Sequence, residues 1–146
     1  MSHADPRPKY YLTPPIYYAN ARPHVGSAYT TLVADTVARF KRMQGYDVAF
    51  LTGTDEHGEN IARAAAKAGI TPRQLVDRNS AIFRGLWDQL GIGYTHFVRT
   101  TSAEHLAAVR RLLLKARDSG YIYKKLYKGR YCVHDNFYVT DNEEPA

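Results

Sequence analysis

The order of β-forming and helix-forming segments is what most constrains this chain. Lys9 to Thr13 (KYYLT) is rich in β-formers and is stopped by Pro14 and Pro15. Ile16 to Pro23 reads as a loop, with Asn20 and Pro23 as turn residues. From Val25 to Met43 apolar residues recur at helical steps, predicting an inward face of Ala28, Leu32, Val33, Val37 and Phe40. Lys41 and Arg42 suit the negative end of that helix, and Gly45 its stop. Asp47 to Thr52 (DVAFLT) is the second strand. A short helix follows from about Glu59 to Lys67. Thr71-Pro72 then starts a helix running to about Leu90, with Leu75, Ile82, Phe83, Leu86, Trp87 and Leu90 inward. His96 to Arg99 is a third strand. Thr101 and Glu104 read as a capping box before a helix carrying Leu106, Val109, Leu112 and Leu113. The order β-α-β-α-α-β-α predicts an α/β fold, the first half of a Rossmann-like, doubly wound parallel sheet.

After Gly120 the texture changes. Tyr121 to Leu126 and Arg130 to Val139 read as two strands of a hairpin joined by Tyr127-Lys128-Gly129. The predicted organisation is therefore in two parts, 1–119 as half of a doubly wound sheet with its helices and 120–146 as a β-rich hairpin segment. A hairpin appended to half a doubly wound sheet is an odd way to finish a domain, so the chain is expected to be the front part of something longer.

Composition narrows the function. Apolar residues make up 45% of the 146, enough for a core. The net charge of +6, without any block of consecutive basic residues, suits a partner carrying phosphates, whether ATP or RNA. The sole cysteine, Cys132, cannot form an internal disulfide. With no signal peptide and no long apolar run, a cytoplasmic setting and no membrane are expected.

Two polar clusters sit where a strand hands over to a helix, the usual place for a ligand in a parallel sheet. They are Pro23-His24-Val25-Gly26-Ser27 and Gly53-Thr54-Asp55-Glu56-His57-Gly58. Neither G-x-x-x-x-G-K-[ST] nor G-x-G-x-x-G is present. Phosphate would instead meet the free N–H groups and dipole at the start of the first helix, with His24 as a donor and Gly26 leaving room for a flat base. Alone, a His-x-Gly is as well read as an ordinary N-cap with a surface histidine. Cys132, His134 and Asp135 invite a zinc reading, but a structural zinc site needs four ligands and one cysteine makes a closed site improbable within this chain.

In combination, these clusters resemble a known family. Pro23-His24-Val25-Gly26-Ser27 is similar to the His-Ile-Gly-His signature of class I aminoacyl-tRNA synthetases. The preceding Ile16-Tyr17-Tyr18-Ala19-Asn20 and the run Phe50-Leu51-Thr52-Gly53-Thr54-Asp55-Glu56-His57-Gly58 resemble the methionyl-tRNA synthetases in particular. The similarity extends from Tyr10 to about Tyr138. It implies that His24 contacts ATP phosphate and stabilises the transition state, and that Gly26 lies against the adenine. Ser27 stands where the second signature histidine usually is, a departure that keeps one hydrogen-bond donor without an imidazole. Asp55 corresponds to the carboxylate that holds the methionine amino group. Ile16 and Tyr18 correspond to the near wall of the side-chain pocket, with Asn20 on the ATP side and His57 on the rim.

The resemblance implies a methionine–tRNA ligase. Methionine and ATP, supplied with Mg2+, give methionyl-adenylate, and the methionyl group then passes to tRNA(Met). The family's Lys-Met-Ser-Lys-Ser loop is absent from the sequence, and Phe40-Lys41-Arg42-Met43 does not match it. The carboxy-terminal half of such an enzyme is thus an expected partner, and apolar surface meant for it is expected to be exposed. Two other readings stand beside this one: a nucleotide- or methionine-binding module without turnover, and a small-molecule nucleotidyltransferase of the same fold.

Overall fold

A computed structural model describes residues 7–132 and 137–139. The chain divides into two compact units at Leu106–Ala107.

In the first unit, four strands form a parallel sheet around β3 (Asp47–Asp55). β1 (Lys9–Leu12) and β2 (Tyr17–Tyr18) pair with one of its sides and β4 (His96–Arg99) with the other. β2 falls in the stretch Ile16 to Pro23 that the sequence predicts to be loop. It is two residues long, too short for a period-two pattern to register, and it forms because β3 runs on to Asp55, past the predicted end at Thr52. Leu12 pairs with Phe50 and Tyr17 with Thr54, so residues 13–16 on the outer side stand opposite 51–53. The outer strand carries one residue more than its neighbour, a bulge in effect. Pro14 and Pro15, which have no N–H to give, fall in that gap.

Helices α1 (Val25–Met43) and α3 (Pro72–Gln89) cover the face carrying Val48, Phe50, Thr52 and Thr54, while α2 (Glu59–Lys67) packs beside α3. Ala34, Ala38, Val48, Phe50, Phe83, Trp87 and Ile92 form one core cluster; Ala19, Ile61, Ala65, Leu75 and Val76 form another. Tyr17 joins the first cluster by stacking on Phe83 (centroids 5.5 Å apart), and its hydroxyl bonds Thr31 at 2.7 Å. Burial pushes that phenol's pKa up, against the lowering effect of the Thr31 bond.

The buried face of α1 is not the one predicted. Ser27, Thr31, Ala34, Asp35 and Ala38 face inward, whereas Leu32, Val33 and Phe40 are exposed, as are Val25, Tyr29 and Met43. Small side chains let the helix axis lie close on the sheet, and the bulky apolar ones are left as a stripe outside. On α3, Leu75, Phe83 and Trp87 are buried as predicted, but Leu90 is exposed and Asn79 and Ser80 are inside. Thr71 caps that helix and forms a capping box with Gln74.

Helix α4 (Ala103–Asp118) begins one residue later than a Thr101 cap would require. Ser102 Oγ accepts the His105 N–H instead, because Thr101 Oγ1 is used elsewhere, donating to Glu56. In the second unit the hairpin also differs from the prediction. β5 (Arg130–Cys132) pairs antiparallel with β6 (Phe137–Val139), and Tyr121 to Leu126 forms no strand. His134 and Asp135 lie outside the described residues. Cys132 is half-buried on β5.

Candidate active site

The predicted residues gather at the carboxyl ends of β2 and β3 and at the start of α1. Tyr18 is the register partner of Asp55, the last residue of β3. Ala19 N–H donates to the Asp55 carbonyl at 2.9 Å, and the buried Asn79 amide donates to the Ala19 carbonyl at 2.8 Å. The strand tip bearing Tyr18 is thus fixed to both β3 and α3. Six residues on from Tyr18, His24 opens α1. That stretch spans at most roughly 22 Å when fully extended, and it joins the carboxyl end of β2, beside Asp55, to the start of α1.

His24 is an exposed N-cap in extended conformation, and its Nδ1 accepts the Gly26 N–H at 3.0 Å. With Nδ1 as acceptor, the neutral ring carries its proton on Nε2, leaving a donor for an incoming anion. Ser27 completes a capping box by accepting the His24 N–H at 3.4 Å. It is buried, so its oxygen is structural, though its O–H retains a donor. No acidic residue occupies the first turn, which leaves the positive end of the helix dipole uncompensated. A Cβ on Gly26 would stand 2.8 Å from His24 Cε1. The room at Gly26 is therefore taken by the folded-back imidazole, a use the sequence did not suggest.

Gly58, the N-cap of α2, has φ +121°, and a Cβ there would come within 2.0 Å of the Tyr18 hydroxyl. The glycine is what lets Tyr18 lie across the end of β3. Asp55 is partly buried and His57 exposed, with His57 Nε2 3.4 Å from the Thr100 carbonyl. Ile16 and Asn20 are partly buried on either side of β2. A cleft of about 450 Å³ lined by Arg22, Pro23, Ile82, Gly85, Leu86 and Gln89 contains none of the predicted residues and does not mark the site.

Glu56 is a residue of this end of the sheet that the sequence does not single out. Its side chain is wholly buried. Oε1 accepts Arg99 Nε at 2.7 Å and Thr54 Oγ1 at 2.7 Å; Oε2 accepts Arg99 Nη2 at 2.9 Å and the Thr101 hydroxyl. Burial pushes its pKa up, but the bonds from Arg99, Thr101 and Thr54 and the Arg99 charge outweigh this and hold it below the usual value. Arg99 is raised in turn, chiefly by its bonds to Glu56 and despite partial burial. Only the i, i+2 spacing of Thr54 and Glu56 on one strand face hinted at this cluster.

The sequence matches the family described as tRNA synthetases class I (M) over residues 10–144. The chain belongs to that family. A methionine–tRNA ligase of Thermotoga maritima is 47% identical over 135 residues, 92% of this chain and 22% of the relative. One from Deinococcus radiodurans is 48% identical over 136 residues, again 92% of this chain and 20% of the relative. Among solved structures, Mycobacterium tuberculosis methionyl-tRNA synthetase in complex with methionyl-adenylate superposes with TM-score 0.87 at 45% identity, over 93% of this chain and 27% of that one. A LeuRS–tRNA–LeuAMS complex from Agrobacterium radiobacter K84 matches at TM-score 0.75 and 28% identity, over 82% of this chain and 16% of that one. The chain thus spans about a fifth of the length of the curated relatives it matches. Its sheet and helices are those of the class I synthetase Rossmann-like catalytic fold. No helix among the described residues is long and apolar enough to cross a membrane.

Proposed function

We propose that this chain supplies the amino-terminal part of a methionine–tRNA ligase, which joins methionine to ATP as methionyl-adenylate and passes the methionyl group to tRNA(Met). One observation carries the reading: Tyr18 lies beside Asp55 at the strand tips, a short loop away from the His24-capped start of α1. The 45% identical synthetase solved with methionyl-adenylate supports it. In this reading Asp55 pairs with the methionine ammonium by a charge-assisted bond, and Ile16 and Tyr18 form the near wall against the thioether. His24 Nε2–H, the Ser27 hydroxyl and the N–H groups at the helix start meet the triphosphate, with Gly26 and Asn20 alongside and His57 on the rim. The methionine carboxylate attacks the α-phosphorus, pyrophosphate leaves, and His24 offsets the charge growing on the phosphoryl oxygens. ATP enters with Mg2+ as part of the substrate. Residues 1–119 are assigned to the first half of the nucleotide-binding domain and 120–146 to the start of the connective insertion. Charging tRNA implies a cytoplasmic setting.

Methionine-dependent ATP–pyrophosphate exchange tests this. The expected result is exchange that requires methionine, in a full-length protein carrying this segment, and that is lost with leucine or valine. Exchange indifferent to the amino acid supplied would overturn it.

A further inference from the structure

We propose that Glu56 is the positioning residue of the amino-acid side of the site: by joining the tips of β3 and β4, it sets where its chain neighbours Asp55 and His57 stand. The inference rests on the methionine-binding role proposed above for Asp55.

Successive residues of a strand point to opposite faces. Thr54 and Glu56 therefore share the helix-covered face, and Asp55 between them points the other way. Fixing the two flanking residues fixes the Asp55 Cβ direction. Both are fixed. Thr54 Oγ1 bonds Glu56 and also Ser80 of α3 at 3.0 Å. The Glu56 carboxylate takes the Arg99 fork from β4 and the Thr101 hydroxyl, and its own N–H donates to Thr100 Oγ1 at 2.9 Å. Arg99 Nη2 reaches on to Asp77 of α3 at 2.5 Å. His57 meets the carbonyl of Thr100, the residue whose hydroxyl holds the Glu56 N–H. A buried ion pair adds little net stability over a well-packed apolar pair. What a bidentate fork does add is a single geometry, and it sits where the chain leaves the sheet and the ladder no longer supplies one.

The test is the steady-state kinetics of pyrophosphate exchange in a full-length protein carrying this segment, comparing Glu56→Gln, Arg99→Lys and Val48→Ala. Displacement of a positioned group by an ångström costs on the order of a hundredfold. Glu56→Gln is expected to raise the methionine KM by roughly tenfold to a hundredfold while the ATP KM stays within about threefold. Arg99→Lys keeps the charge but loses the fork, and is expected to behave like Glu56→Gln. Val48→Ala lowers the melting temperature by opening the core and is expected to leave both KM values alone. In parallel, the ring carbon signal of His57 in histidine-labelled protein is expected to shift in Glu56→Gln and not in Val48→Ala. Equal rises in both KM values, or an unmoved His57 signal in folded Glu56→Gln, would overturn the proposal. Exchange that ignores methionine in the unsubstituted protein would instead overturn the functional reading beneath it.

Discussion

The buried carboxylate of Asp35 accepts the Gly93 N–H at 2.8 Å, tying the middle of α1 to the turn after α3 across 58 residues of sequence. Arg39 Nε also donates to it at 2.6 Å and reaches the Gly91 carbonyl through Nη2. The Arg39 side chain is 59% exposed, so its pairing is largely screened and the Gly93 bond carries most of the value. Asp35→Ala is expected to cost about 2 kcal/mol, mainly by orphaning that N–H. Urea unfolding measures it, and a loss under about 0.5 kcal/mol would show that water replaces the carboxylate freely.

Among the described residues, Thr52 Oγ1 and Trp87 Nε1 are buried without a hydrogen-bond partner. Thr52 is fully enclosed in the core of the first unit. Thr52→Val removes the unmet hydroxyl at nearly constant volume, and is expected to be neutral or to stabilise by about 1 kcal/mol. A clear loss in melting temperature would reveal an unseen partner for that oxygen.

Acid is expected to loosen the strand tips. The Glu56 pKa in the folded chain lies below the ordinary 4.5, with burial opposing and the bonds from Arg99, Thr101 and Thr54 prevailing. A lowered folded value means that the contribution is complete above the unfolded pKa and disappears as pH falls through the folded one. Asp77 is lowered too, chiefly by Arg99, but it is more exposed and adds less. Stability followed below pH 4.5 is expected to drop more steeply in the unsubstituted chain than in Glu56→Gln.

Asp55 and His24 are expected to fail differently. In the role proposed for it, Asp55 pairs with the methionine ammonium group, so Asp55→Ala is expected to weaken methionine binding by about 3 kcal/mol. With His24 in its proposed role, its donor meets charge that appears only during reaction, so His24→Ala is expected to lower adenylate formation far more than methionine affinity. Calorimetric titration with methionine, beside single-turnover adenylate formation, separates the two. Equal losses in both measurements for His24→Ala would argue against a transition-state role.

Helix and strand order was legible because it rests on local signals: the proline stop after β1, the glycine after α1, and the Thr71-Pro72 start of α3. The place of His24 was legible for the same reason, since it opens α1, whereas the run of β3 on to Asp55, past its expected end at Thr52, was not. What was hidden depends on distant partners. The inward face of α1 goes to its small residues because closeness to the sheet outweighs side-chain size, and Leu32 and Val33 show nothing of that in sequence. Thr101 looked like a cap until β3 brought Glu56 within its reach. Tyr121 to Leu126 has the composition of a strand, but β6 takes β5 as its partner.

The surplus residue opposite β3 decides which tyrosine does what. Were the chain to run on from Leu12 in step with β3, without the surplus residue being absorbed at Pro14 and Pro15, Ile16 would take the place opposite Thr54 and Tyr17 would slide to Asp55. The ring now wedged between Phe83 and Thr31 would be turned out to the opposite side, and Tyr18 would overshoot the carboxylate it flanks. A pair of prolines thus assigns one phenol to the interior and its neighbour to the mouth.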